Sequence, residues 1–306
     1  MQQDDGRDGT GTTETANEIS HEPGKGPGLT LVATPIGNLG DLAPRAIAVL
    51  RAADGVLCED TRVTAPLLAR HGVSAKLSPL HEHNEEAALP RLIARLQAGE
   101  RLALVSDAGT PLMSDPGYRL VRAAIAAGIE VSAVPGPNAA VMALTLSGLP
   151  PHPFLFHGFL PPRAAARAAE LGRLRAAEQA GLSATLIFYE APHRLAECLA
   201  QMAEVLGPRP AAVTRELTKR FEEVRRGTLP ELAEHYGVHL ARGEIALVVG
   251  PPGDATPEAE LGLDERLQAA MAAGESLRDA AALVATATGL PRKRVYARAL
   301  ELRQDP

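Results

Sequence analysis

The residues best placed to do chemistry sit in five short strings at the ends of apolar runs, and in four of them glycine or proline stands beside a polar group. Three of these strings follow predicted strands: Ala33-Thr-Pro-Ile-Gly-Asn-Leu-Gly-Asp41, Ser106-Asp-Ala-Gly-Thr-Pro-Leu-Met-Ser-Asp-Pro-Gly117 and Val134-Pro-Gly-Pro-Asn-Ala139. Open α/β sheets hold ligands beyond the carboxyl ends of their strands, and glycine lets a ligand approach the backbone closely. None of the three is a G-x-x-x-x-G-K-[ST] loop, and no G-x-G-x-x-G opens a helix, so the pattern speaks against a nucleotide hydrolase or a dinucleotide dehydrogenase. Proline and glycine backbone groups with one acid, Asp107, suit a nucleoside with a zwitterionic tail better than a triphosphate. Taken singly, each loop reads equally well as a tight turn, and Asp115 reads as a turn or N-cap residue.

The other two strings are Phe188-Tyr-Glu-Ala-Pro-His-Arg194 and Thr214-Arg-Glu-Leu-Thr-Lys-Arg220. They gather Glu190, His193, Arg194, Arg215, Glu216 and Lys219 at strand ends, where a chain places acid/base groups or phosphate-binding cations. A pair of salt-bridge networks between domains is the alternative reading.

Positioning these strings requires an α/β framework. Strand-like runs at 29–34, 55–59, 76–80, 102–106 and 129–134 alternate with helical patterns from 44, up to His71, from Asn84 to Gly99, over 116–127 and over 138–147. That rhythm predicts a sheet with helices on its faces. The proline-dense stretch 148–162 reads as a hinge between domains. A second α/β unit over 163–253 carries strands near 184–189, 211–215, 222–227 and 244–249 and helices near 164–180 and 192–206. Residues 254–306 turn to Ala, Leu and Arg in helical periodicity and read as a small helical appendage. Ser276 and Pro291 stand at its helix starts. Arg292, Lys293 and Arg294 place cations at a helix N-terminus, which the dipole disfavours and an external anion would offset.

The chain has 306 residues, 45% hydrophobic and 22% charged, enough for substantial cores. Residues 1–28, polar and acidic, are expected to be disordered. No apolar run approaches the roughly 20 residues of a membrane span, so a cytoplasmic protein is expected. Cys58 and Cys198 lack ligand or disulfide spacing, and no metal site is expected. The net charge of −6 owes −4 to the first 28 residues. Basic clusters at Arg163/Arg167/Arg173/Arg175, Arg215/Lys219/Arg220/Arg225/Arg226 and Arg292/Lys293/Arg294/Arg298 leave local phosphate binding open, with ordinary solvated helix faces as the alternative.

Six ordered motifs carry a resemblance: T-P-I-G-N-L (34–39), E-D-T-R (59–62), S-D-A-G-T-P with S-D-P-G (106–117), P-G-P-N-A (135–139), F-Y-E-A-P-H-R (188–194) and R-E-L-T-K (215–219). Over residues 29–303 the chain resembles the bacterial 16S ribosomal RNA (cytidine-2'-O-)-methyltransferases of the tetrapyrrole methylase superfamily. The resemblance implies a two-domain tetrapyrrole-methylase-like α/β fold with a small C-terminal helical appendage, S-adenosyl-L-methionine in the interdomain cleft, and a homodimer. It also implies 16S rRNA or the small ribosomal subunit as partner, with methylation of a cytidine ribose 2'-hydroxyl in the decoding region. Cofactor contacts are then expected from Thr34, Pro35, Asp107, Ala108, Gly109, Pro135, Gly136 and Ala139, with Gly243, Glu244 and Ile245 closing over the cofactor.

A ribose hydroxyl needs an acceptor for its proton, and a placed base contributes about 10²- to 10⁴-fold. Glu190, His193, Glu59 and Lys219 are candidates; Glu190 and His193 rank first because they flank a strand-to-helix corner. Arg194, Arg215, Lys219 and Arg220, with Arg292, Lys293 and Arg294, are assigned to RNA. Methylation of a tetrapyrrole precursor and a non-catalytic ribosome-assembly role are the competing readings.

Overall fold

The computed structural model describes residues 27–252, 257–288 and 290–304. Of residues 1–28, expected to be disordered, 1–26 lie outside the described residues, while Gly28 already belongs to the first strand. The chain folds as β1 (Gly28–Val32), α1 (Pro44–Ala52), β2 (Gly55–Cys58), α2 (Thr61–Arg70), β3 (Leu77–Pro79), α3 (Glu85–Gln97), β4 (Arg101–Val105), α4 (Tyr118–Ala126), β5 (Val131–Val134) and α5 (Ala139–Ser147). These strands form one parallel sheet in the order β3-β2-β4-β1-β5. Its strands are short apolar runs whose alternate residues face opposite helix layers, the period of an extended chain. Val32, Val56, Cys58, Ala103 and Val105 meet α1 and α2 on one face. Leu29, Leu57, Leu102 and Leu104 meet α3 and α4 on the other. The connections after β1 and β4 run in opposite directions along the sheet, and right-handed crossovers carry them to opposite faces. A crevice therefore opens beyond the carboxyl ends of these two neighbouring strands.

The second unit comprises β6 (Phe154–Phe159), α6 (Ala164–Gln179), β7 (Thr185–Glu190), a 3-10 turn at Pro192–Arg194, α7 (Leu195–Leu206), β8 (Pro210–Arg215), β9 (Glu223–Thr228), α8 (Leu229–Val238) and β10 (Ile245–Val249). Its sheet is mixed, in the order β6-β7-β10-β8-β9, with only β6 and β7 parallel. Two features depart from the sequence expectation. The stretch read as a hinge contains β6, an edge strand; edge positions tolerate the neighbouring prolines because one row of backbone groups needs no sheet partner. The helix α8 was not expected, although Thr228-Leu-Pro-Glu231 forms a complete capping box: the Thr228 hydroxyl accepts from the Glu231 amide and the Glu231 carboxylate accepts from the Thr228 amide.

One face of the second sheet buries α7, α8 and part of α6 around Phe188, Met202, Val213 and Leu247. The other face receives α5 from the first unit: Ala140, Ala143 and Leu144 pack with Ile187, Ala212, Ala246 and Val248, and Ile36 and Leu217 join them. A shared apolar layer thus fixes one sheet against the other. The first basic cluster breaks up on folding. Arg167 is fully buried, its Nη2 2.6 Å from Glu197 and its Nε donating to Gln201 Oε1 at 2.5 Å, so it cannot belong to a surface patch.

The helices α9 (Pro257–Ala272), α10 (Leu277–Thr288) and α11 (Arg292–Gln304) build a separate small core around Leu267, Ala280, Ala281, Val284, Val295 and Ala299. Ser276 caps α10 by accepting from the Asp279 amide, and Arg298 clasps Asp264 with two donors at 2.9 and 2.7 Å.

Candidate active site

The loops after β1 and β4 are stitched together where the crevice opens. Thr34 and Gly109 pair as an isolated antiparallel bridge, with N···O distances of 2.9 and 3.1 Å in the two directions. The buried Thr34 hydroxyl donates to Ser106 O at 3.1 Å, and the Ser106 hydroxyl donates to Gly109 O at 3.0 Å. Gly109 takes a left-handed φ of 86° there, open to glycine at no steric cost. Asn138 caps α5 by accepting from the Val141 amide, which ends the third loop.

Two adjoining cavities lie between the units. The larger, about 400 Å³, is walled by Ala108, Gly109 and Thr110 with Met113, Ser114 and Asp115 on one side. Tyr189, Glu190, Leu217 and Gly243–Ala246 wall the other side. The smaller, about 300 Å³, holds Pro35, Asp107 and Lys219, and the two share Ile36, Ala108 and Glu244. Of the expected cofactor residues, Ala108, Gly109, Ala139, Gly243, Glu244 and Ile245 therefore meet in the larger space, and Pro35 and Asp107 in the smaller. Thr34, which is buried, and Pro135 and Gly136, which are exposed, line neither cavity; a Cβ on Gly136 would come within 2.9 Å of the Ala33 side chain, so this glycine lets two loops pack.

The electrostatics divide across the cleft. Carboxylates crowd the sheet edge of the first unit. Burial, followed by the Asp107 charge, raises the Glu59 pKa, and burial raises Asp107, whose Oδ1 accepts from the Asp60 amide at 3.1 Å. Asp115 is pushed up to about 6 by burial, then by Glu59 and Asp107, with Ser106 pulling the other way. The expectation that Asp115 caps a helix is overturned: α4 begins behind Gly117, whose φ of 115° supplies the turn, and Asp115 faces the cavity instead.

On the opposite wall, Glu216 holds an uncommon left-handed backbone, φ 51°. Its Oε1 accepts from Lys219 Nζ at 2.8 Å and from the Glu244 amide at 3.0 Å. Those two bonds, the lysine's first, hold the Glu216 carboxyl below its ordinary range. Burial works to lower the Lys219 pKa, but the hydrogen bond to Glu216 and the charge of Glu244 outweigh it and the net shift is upward. Lys219 thus sits in the cleft as a paired cation.

The remaining sequence-selected residues separate. Glu190 lines the larger cavity, yet its Oε1 accepts from the Ala191 amide at 2.8 Å and lies 3.1 Å from Arg194 Nε, while Oε2 accepts from Arg194 Nη2 at 3.2 Å. Arg194, expected to meet RNA, turns inward, with its guanidinium also donating to Leu160 O and Pro161 O. His193 is exposed and borders neither cavity. Arg215 pairs with Glu223 at 2.8 Å, and exposed Arg220 lies 5.6 Å over the Phe221 ring. Arg292, Lys293 and Arg294 are exposed at the start of α11. Among the described residues no group of three or more His, Cys, Asp or Glu is arranged to hold a metal, and no helix is long and apolar enough to cross a membrane.

Comparison with known proteins meets this geometry. Residues 28–233 match the family model of Tetrapyrrole (Corrin/Porphyrin) Methylases, and 255–303 match the RsmI C-terminal HTH domain. The chain is 51% identical to the Ribosomal RNA small subunit methyltransferase I of Mesorhizobium japonicum, over 90% of this chain and 92% of the relative. It is 46% identical to the protein of that name in Pseudomonas aeruginosa, over 89% and 96%. Among solved structures, the uroporphyrin-III-C-methyltransferase of Thermus thermophilus superposes with a TM-score of 0.50 at 27% identity, covering 72% of this chain and 93% of that one. A diphthine synthase superposes with a TM-score of 0.55 at 15% identity, over 72% and 89%, a likeness of fold alone. This chain, with its two α/β units and a helix-turn-helix unit at its end, belongs to the tetrapyrrole methylase family, on the branch of the ribosomal RNA small subunit methyltransferases I.

Proposed function

We propose that this chain methylates the 2'-hydroxyl of a cytidine ribose in the decoding region of 16S rRNA, using S-adenosyl-L-methionine held in the interdomain cleft. One observation carries the reading: the cleft of a tetrapyrrole methylase is joined to a helical unit that meets solvent with cations at a helix start. The residues present fit the cofactor. A space of about 400 Å³ falls in the range of small-molecule sites. Its walls combine Ala108, Ala139, Leu217 and Ile245, suited to an apolar ring, with backbone at Gly109 and Gly243. The nearby carboxylate of Asp107 suits the cationic end of the cofactor, and would repel a polyphosphate.

When bound, S-adenosylmethionine supplies an electrophilic methyl on a positively charged sulfur. The chain's own contribution is position. Thr34, Ser106 and Gly109 lock the two sheet loops together, and Glu216 holds the strand entry at Gly243–Ile245 against Lys219. Orientation of this kind accounts for a large part of the barrier in a transfer between two bound groups. Glu190, clamped by Arg194, anchors the β7 corner beside the cavity. Arg215, Lys219 and Arg220 stay assigned to the RNA-facing rim, and Arg292, Lys293 and Arg294 to a second RNA-facing surface on the helical unit. The working form is proposed to be a cytoplasmic homodimer; sedimentation of the purified chain checks the dimer.

The direct test incubates the protein with methyl-labelled S-adenosylmethionine and small subunits from cells lacking this gene, then maps the modified nucleoside. Label on a 2'-O-methylcytidine of the decoding region is the expected result. Label on a tetrapyrrole precursor and none on RNA would replace this reading. The helical unit yields a separate expectation. Replacing Arg292 and Lys293 together with alanine raises KM for the subunit, leaves cofactor binding unchanged, and flattens the plot of log affinity against log salt by about 0.7–0.9 for each phosphate that is no longer neutralised. An unchanged salt slope would detach α11 from RNA binding.

A further inference from the structure

Three carboxylates line the larger cavity, Asp115, Glu190 and Glu244; Glu244 is largely exposed and paired with Lys219 at 3.2 Å, and the structure separates the other two, on opposite walls. Glu190 is committed. Its side chain is 1% exposed, and Arg194 and the Ala191 amide donate to both oxygens. With those donors in place, its oxygens are engaged by the protein's own groups and not turned to a bound hydroxyl. Asp115 is in the opposite condition. Among the described residues no lysine, arginine or histidine pairs with it, and the groups facing it are the acids Glu59 and Asp107, the Ser106 hydroxyl and the Tyr189 phenol across the cleft.

The backbone places Asp115 at a cost. Leu112 and Ser114, just before it, both hold left-handed φ values, 73° and 74°. Strain of this kind persists only where the surroundings enforce it, and it clusters at functional sites. The enforcement here comes from both units. Thr110 donates to Pro137 O at 3.0 Å, and Ser114 lies so close to Gly158 of β6 that a Cβ on that glycine would come within 3.1 Å of the Ser114 hydroxyl. The loop is therefore pinned across the cleft with its acid turned into the cavity.

We propose that Asp115 is the catalytic base, the group that accepts the proton of the ribose 2'-hydroxyl as its oxygen attacks the methyl carbon. The inference rests on the function proposed above. In the step, a hydroxyl oxygen lone pair forms the new O–C bond, the C–S bond breaks with its electron pair staying on sulfur, and the O–H proton passes to the Asp115 carboxylate. The resulting acid returns that proton to water. The environment that lifts Asp115 to about 6 keeps it ionised at neutral pH yet more basic than an ordinary aspartate, the range in which a general base works well.

The test compares Asp115→Asn with wild-type protein, using small subunits from cells lacking the gene. Turnover is expected to fall about 10²- to 10⁴-fold, while the Kd for S-adenosylmethionine measured by calorimetry stays within about 2-fold, well under the tenfold of one binding increment. In wild-type protein the acid limb of kcat/KM should break near 6, and in the variant that limb should vanish. A second readout needs no activity. A carboxyl raised above its ordinary value binds its proton more tightly folded than unfolded, so it stabilises the fold below its unfolded pKa and loses that contribution as pH rises through about 6. Asp115→Asn should therefore have a higher Tm than wild type at pH 8, whereas loss of a merely structural carboxylate would lower it. Retained turnover with the acid limb in place would overturn the assignment while leaving the functional reading intact. Wild-type protein that leaves subunits unlabelled would overturn both.

Discussion

Gly243→Ala is expected to extinguish methyl transfer and to weaken cofactor binding by at least about 10²-fold, because it unseats a whole wall of the cavity. Gly243 has a φ of 82°, and a side chain held in that left-handed region costs about 1–2 kcal/mol. The added Cβ would also run into the carboxylate and Cγ of Glu216, and overpacking typically adds about 1–3 kcal/mol. Glu216 cannot yield cheaply, since its own backbone is left-handed and its Oε1 is the shared acceptor for Lys219 Nζ and the Glu244 amide. Movement there travels along Gly243, Glu244, Ile245 and Ala246, all of which line the larger cavity, and a misplacement on the order of 1 Å costs about 10²-fold in rate. Calorimetry with S-adenosylmethionine and a melting curve check this together. A variant that binds as wild type with an unchanged Tm would remove this strand entry from the site.

Glu178→Ala is expected to cost about 3–5 kcal/mol of stability without altering the chemistry of the molecules that stay folded. Arg209 and Glu178 form a buried pair, 2.7 and 2.9 Å apart at two points, with side chains 5% and 2% exposed, and the partly exposed Arg175 approaches Glu178 at 3.6 Å. Removing the acid strands a buried guanidinium that keeps only the carbonyls of Leu206 and Gly250. For a chain of this size the loss corresponds to a fall in Tm of roughly 10 °C. Neither residue borders either cavity, so kcat below the melting range should not change. Replacing both residues with apolar ones of similar size should recover much of the loss, because no buried charge is then left uncompensated and Arg175, which also loses its partner, reaches solvent. A denaturant titration that finds less than about 1 kcal/mol would show that water reaches Arg209.

Much of the framework can be read from local pattern. The first sheet is legible because most of its strands are four or five residues long, largely apolar and set between polar turns, and Asn138-Ala-Ala-Val places a cap where α5 begins. The second unit is less legible at its margins. Prolines around Phe154–Phe159 mask β6, since local turn chemistry outweighs a strand whose only sheet partner is β7. The Thr228–Glu231 capping box is hard to read because it follows directly on a strand without a loop. Within the site, the loop residues Ala108, Gly109 and Ala139 stand in strings that composition alone singles out. Asp115 is legible as a polar group but not in its role, because Gly117, with its positive φ, takes the capping position from it.

Local pattern in the chain dictates the order of elements in the first unit, the three loops beyond its strand ends and the family to which six ordered motifs point. These follow from short-range preferences of backbone and burial that each segment expresses alone. Which polar groups are free to act depends instead on contacts between segments distant in the chain. Arg194 and Glu190 stand close together in one motif, yet folding turns them on each other, and His193 between them faces solvent. Asp115 is surrounded by acids because Glu59 and Asp107, the first of them far back in the chain, arrive at the same sheet edge. Charge pairing and desolvation depend on distances through space, and the packing of α5 across both sheets sets those distances.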